Sequence, residues 1–211
     1  MKKKIIIACA IVFGLLAVIG LTIGGVWLYQ RHCHYDFHHT VSPAEAILRS
    51  QVVSKAEQWL GAQEGDEKHK EIVDIYNAHE PLAQGYEVKY DDNWCATFVS
   101  AVAIELEITD LIPTECGCQR QIGLFQELDC WEEDDDYIPL PGDIIYYCME
   151  NAPLSGDCTG WSDHVGIVVG TNGDFMKVIE GNYGDKVTYR YLSIGDRHIR
   201  GYAVPNYDQS E

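Results

Sequence analysis

With 211 residues, 46% hydrophobic and 23% charged, the chain suits one globular domain with a sizeable core plus accessory segments. Its formal charge is −18, and the first thirty residues hold three lysines and no acid, so residues 31–211 carry 12 basic against 33 acidic side chains, a net of −21. A surface this acidic repels phosphate backbones, which argues against nucleic acid as a partner and leaves cation binding and plain solubility open.

The N-terminus reads "MKKKIIIACAIVFGLLAVIGLTIGGVWLYQRH", with 25 uncharged residues between Lys4 and Gln30. As a helix they reach about 37 Å, enough to span a bilayer with some tilt. A cleaved signal peptide is the rival reading. Its apolar core is shorter, and it ends in a small-x-small site; here Val26, Trp27, Leu28 and Tyr29 are bulky. Residues 1–30 are therefore expected to be a basic stub and an uncleaved membrane anchor. Lys2, Lys3 and Lys4 hold the stub in the cytoplasm, and the remainder faces outward. The histidine-bearing "HCHYDFHHT" reads as a solvated juxtamembrane linker (residues 31–41), followed by one domain over 42–207 and a tail at 208–211.

In "SPAEAILRSQVVSKAEQWLG", Ser42 can cap a helix, Pro43 suits its first turn and Glu45 completes a capping box. Leu48, Val52, Ala56, Trp59 and Leu60 recur at steps of three and four, and Gly61 ends the run. A second helix is expected from Asp66, burying Ile72, Ile75 and Tyr76. A third starts near Trp94 with Phe98, Val102 and Leu106 on one stripe and Val99 and Ala103 beside it. A fourth runs from about Cys118 to Leu128. After the acidic "EEDDD", read as a solvated loop, the texture changes. The segments "PGDIIYYCM", "DHVGIVVG", "FMKVIEGN", "KVTYRYL" and "HIRGYAV" are short, β-branched and aromatic, with turn residues between them. Helices followed by about five strands predict an α+β domain with an antiparallel sheet.

Of eight cysteines, Cys9 lies in the apolar N-terminal run. The other seven are expected in a compartment that permits disulfides, and an odd number leaves at least one thiol unpaired. The "CGC" at 116–118 lacks zinc-finger spacing. No metal or cofactor is expected.

Three features carry chemistry. Cys95 follows a tryptophan at the front of the third helix, where orphan N–H groups and the macrodipole favour a thiolate. His164 begins a strand otherwise made of Val165, Ile167, Val168 and Val169. Glu180 and Asn182 lie two apart on the next strand, hence on one face. Each alone reads as ordinary packing or a solvated pair. Together they supply a thiolate, a proton shuttle and a group to fix the imidazole tautomer, in the chain order of papain-like folds.

The blocks "NWCATFVSAVA", "PLPGDIIYY", "SDHVGIVVG", "VIEGNYGDKV" and "IRGYAVPNY" resemble the CHAP family of cysteine- and histidine-dependent amidohydrolases/peptidases. They resemble in particular forms from Gram-positive bacteria and their phages. The likeness runs from about Ala56 to Tyr207. It implies a papain-like CHAP fold, Cys95 as nucleophile, His164 as base and Glu180, with Asn182 beside it, as the third position. It also implies a peptidoglycan substrate, cut at the muramoyl–L-alanine amide or within the peptide. A membrane-anchored extracellular enzyme of this kind could work within a cell-envelope complex. The alternative is a catalytically silent papain-like module that binds wall or partner.

Two expectations follow for the structure. A simple two-residue turn at Asn172-Gly173 would put His164 and Glu180 on opposite faces, so the catalytic reading requires an odd-numbered loop or a bulge. The "CMENAPLSGDCTGWS" loop departs from the Asp/Asn-rich loop of similar proteins, which puts any calcium site there in doubt. Cys148 and Cys158 close that loop and are expected to pair, while Cys116, Cys118 and Cys130 offer one further pair.

Overall fold

The computed structural model describes residues 41–149 and 157–208. The expected stub and anchor (1–30), the linker with Cys33 and the end of the tail lie outside the described residues. Among those described, no helix is long and apolar enough to cross a membrane.

Four α-helices precede nearly all of the sheet: α1 (Pro43–Gln58), α2 (Glu67–Asn77), α3 (Cys95–Glu105) and α4 (Cys118–Glu127). The first two start on side-chain caps. Ser42 Oγ accepts the Glu45 N–H at 3.1 Å, and Asp66 accepts that of His69 at 2.8 Å. The expected capping box is only half used, because the Glu45 carboxylate is drawn elsewhere. It accepts Arg49 Nε at 2.8 Å, and Arg49 Nη1 reaches Asp143 at 2.8 Å, a buried ionic chain that pins α1 to the segment entering the sheet. Val52, Ala56 and Trp59 are buried as the spacing predicts, but Leu60 lies past the helix end and is exposed.

The third helix departs from its expected stripe: every residue from Cys95 to Ala103 is buried. A helix apolar all round belongs inside a domain, and α3 runs centrally, packed against α1, α2 and the sheet. Leu106, expected on its stripe, caps the C-terminus and is only partly buried.

The sheet has six antiparallel strands where about five were expected: β1 (Trp131–Glu132), β2 (Ile144–Tyr147), β3 (His164–Asn172), β4 (Phe175–Glu180), β5 (Thr188–Ser193) and β6 (Ile199–Ala203). Their order is β1-β6-β2-β3-β4-β5. The additional strand is a two-residue pairing of Trp131 and Glu132 with Ala203 and Tyr202, too short for any alternation to show. Ile144, Tyr146, Val165, Ile167 and Ile179 face the helices, where they meet Phe98, Val99, Val102 and Phe125. The other face carries Ile145, Tyr147, Val168, Met176, Val178 and Tyr202. Both sides of β2 are buried, which is why "IIYY" shows no polar alternation.

The β3–β4 hairpin turns at Gly173-Asp174, with Asn172 opposite Phe175. Its register then slips by one between Val168 and Gly170, leaving Val169 as the extra residue of a bulge. Below the bulge Val168 faces Val178 and Ile167 faces Ile179. Continuing that register brings Gly166 opposite Glu180, so His164 and Glu180 share a face, as the catalytic reading requires.

Cys148 and Cys158 are disulfide-bonded, with Cα atoms 6.0 Å apart. The further pair expected among Cys116, Cys118 and Cys130 does not form. All three are free thiols, as is Cys95.

Candidate active site

Cys95 is the first residue of α3, and Trp94 before it provides no side-chain cap. The first-turn N–H groups are thus left for other acceptors, and that of Ala96 favours a charged Cys95 sulfur. The helix start can sit this close to the sheet because residue 181 is glycine. A Cβ there would stand 2.5 Å from Phe98 Cβ and 3.0 Å from the Trp94 ring.

His164 opens β3, and its imidazole favours the thiolate form of Cys95. Its Nε2 lies 3.2 Å from Glu180 Oε2. Tyr147, across the sheet from His164, stacks on the imidazole at 6.0 Å between centroids, and Tyr183 tilts against its other surroundings at 6.1 Å. The ring is therefore held by a carboxylate on one side and aromatic walls around it.

Glu180 ends β4 and is fully buried. Such a carboxylate needs a cation, and the sequence reading missed which one. Arg190, on β5, donates Nε to Glu180 Oε2 at 3.0 Å, with Nη2 also 3.0 Å from that oxygen. Its guanidinium lies over the Tyr183 ring at 3.9 Å. The β4–β5 register places Arg190 opposite Val178, on the face that carries Glu180. An arginine within "KVTYRYL" was the available signal, and it could be read only once that register was known.

Asn182 is not where the alternation put it. The strand ends at Glu180, and Asn182 follows in a left-handed turn with φ 56°. Its Nδ2 donates to Asn93 Oδ1 at 3.3 Å. It ties the turn after β4 to the residues just before α3, while the group on the imidazole is Glu180.

A second thiol, also missed, belongs to the cluster. Cys118, first residue of α4, has its sulfur 3.6 Å from that of Cys95. The contact with Cys118, then the His164 imidazole and the Ala96 N–H, hold the Cys95 thiol well below the ordinary range against the opposing effect of burial. Burial alone would lower the His164 pKa, but the Cys95 sulfur and the Glu180 carboxylate outweigh it and lift the imidazole to about 9. Both shifts favour the same species, a thiolate beside an imidazolium. The cluster is nearly enclosed: Cys95 is 5% exposed and His164 9%. It can form a nucleophile, shuttle a proton and fix the tautomer of the group that shuttles it.

Gly166 gives Glu180 its room. A Cβ on residue 166 would lie 2.7 Å from Glu180 Cγ and 2.6 Å from Val178 Cγ1. Gly166→Ala is therefore expected to cost about 1–3 kcal/mol through overpacking and to slow alkylation of Cys95 by iodoacetamide as Glu180 is displaced. Melting temperature and labelling rate check this together; wild-type values for both would show that the site tolerates the methyl.

No protein-family model matches the chain, and no curated protein is significantly similar to it. The CHAP resemblance thus rests on the residues quoted for it. Among solved structures, the chain is similar to the crystal structure of Ly7917 with the hydrolyzing product of MDP, at 15% identity and a TM-score of 0.43. It is also similar to the crystal structure of Ly7917, at 15% identity and 0.41. Each alignment covers 74% of this chain and 62% of the other, so the chain spans less than two thirds of those structures. Likeness at this level assigns no family and no residue role.

Proposed function

We propose that the protein is a peptidoglycan hydrolase that cleaves an amide bond by thiol catalysis, tethered to the membrane by its N-terminal segment with the catalytic domain outside. The observation that carries this reading is the buried Cys95–His164–Glu180 cluster, in which three elements distant in the chain bring together a thiol, an imidazole and a carboxylate, with Glu180 Oε2 3.2 Å from His164 Nε2 and the imidazole favouring the Cys95 thiolate. The quoted sequence blocks supply the substrate class.

In this mechanism the Cys95 thiolate attacks the amide carbonyl, and the Cys95 backbone N–H helps hold the oxyanion. His164 gives its proton to the leaving amine as the C–N bond breaks, leaving a thioester. The neutral imidazole then takes a proton from water, whose oxygen attacks the thioester carbonyl. The thiolate leaves and the carboxylic acid product departs. Glu180, held by Arg190, keeps the imidazole in register through both steps.

Digestion of purified peptidoglycan by the detergent-solubilised chain, followed by mass spectrometry of the fragments, tests the reading. New N-terminal L-alanine identifies a muramoyl–L-alanine amidase, and new termini inside the peptide identify an endopeptidase. Intact wall material would overturn the proposal.

The near closure of the site favours a second reading, a catalytically silent binding module. Iodoacetamide labelling separates the two, since a live Cys95 reacts near neutral pH much faster than a model thiol and a silent one does not.

A further inference from the structure

We propose that Cys118 is a positioning residue of this site: its S–H donates to the Cys95 sulfur and holds that sulfur as the thiolate. The inference rests on the reading of Cys95 as nucleophile and names a group on which its activation depends.

The geometry is that of a donor and an acceptor. The two sulfurs are 3.6 Å apart, unbonded, and buried, so neither is solvated well enough to ignore the other. The turn carrying Cys118 is fixed on several sides. The Glu115 carboxylate accepts the N–H groups of Cys116 at 2.8 Å and Gly117 at 3.2 Å, and Arg120 Nη2 at 2.9 Å. Ser100 Oγ, on the same helix as Cys95, donates to the Glu115 carbonyl at 2.8 Å and accepts its N–H at 2.9 Å. Gln121, one turn into α4, accepts the Tyr146 hydroxyl at 2.9 Å and donates to the Pro113 carbonyl at 2.8 Å. The start of α4 is thereby clamped to the helix that bears Cys95. Gln119 also accepts the Ser162 N–H at 3.0 Å, which ties the same turn to the segment entering His164.

Which sulfur keeps its proton follows from the charges around each. The His164 imidazole and the Ala96 N–H both favour charge on Cys95, with Glu180 on the imidazole and Arg190 on Glu180. Cys118 meets the Cys95 thiolate and the negative charge of Asp163, and its thiol is pushed well above the ordinary range. Tyr146, buried beside both, stays a neutral phenol. The cluster therefore holds one thiolate at Cys95, one thiol at Cys118 and one imidazolium at His164. A hydrogen bond to a charged acceptor is strong enough to shift the Cys95 titration by about one to two pH units.

The test is the pH profile of Cys95 alkylation in the detergent-solubilised full chain, kept reduced by a phosphine and read by peptide mass spectrometry. Wild type is expected to titrate well below an ordinary thiol. Cys118→Ala should move the midpoint up by about one to two units, and Cys118→Ser, which restores a donor, should bring most of it back. If the alanine protein does not fold, Cys118→Val fills the space without a donor and takes its place. A low wild-type midpoint that Cys118→Ala leaves unmoved, or that Cys118→Ser shifts as far as alanine does, overturns the role of Cys118 alone. A wild-type midpoint in the ordinary thiol range overturns the Cys95 nucleophile as well.

Discussion

Replacing Cys95 with alanine is expected to reduce amide hydrolysis by about three orders of magnitude or more, since the nucleophile, imidazole and carboxylate act as one unit. The fold should survive. The side chain is small, and its burial is shared with Trp94, Phe98 and the rest of a helix whose first nine residues are all buried. The variant should therefore show an ordinary melting transition and no release of muropeptides. Retained release in a protein alkylated at no other position would mean that the bond is cut by different chemistry.

The second large effect concerns Glu180. Glu180→Ala leaves the Arg190 guanidinium buried without its carboxylate, and breaking a buried pair from one side costs about 3–5 kcal/mol. The same change frees His164 Nε2, so activity should fall as well. Stability and catalysis can be separated by also replacing the cation. In the Glu180→Ala, Arg190→Met double variant no uncompensated charge remains, and the melting temperature should recover much of its loss while hydrolysis stays low. If activity returned along with stability, Glu180 would be a structural partner of Arg190 and nothing more.

Much of this arrangement was legible locally. Ser42 and Asp66 announce α1 and α2 because a capping side chain acts within three residues. Five strands show because turn residues punctuate β-branched runs. Cys95, His164 and Glu180 stand at the ends of those elements, where a side chain can leave its own layer. The misses share one physical origin. Asn182 was placed by assuming that β4 continued, whereas the chain turns left-handed after Gly181 to let α3 approach. Arg190 and Cys118 reach the site through pairings across strands and between helices, and no local spacing encodes those. β1 is two residues long and exists only because β6 is there to pair with it.

The bulge at Val169 has a use beyond this molecule. In an unbroken hairpin with a two-residue turn, residues of the two strands that share a face are always separated by an odd number of positions. His164 and Glu180 are separated by 16. The parity of that interval, and no particular residue within it, is what admits the two side chains to one face. An even interval between a strand-opening histidine and a strand-closing carboxylate is thus a criterion by which diverged chains could be sorted where residue identity has faded.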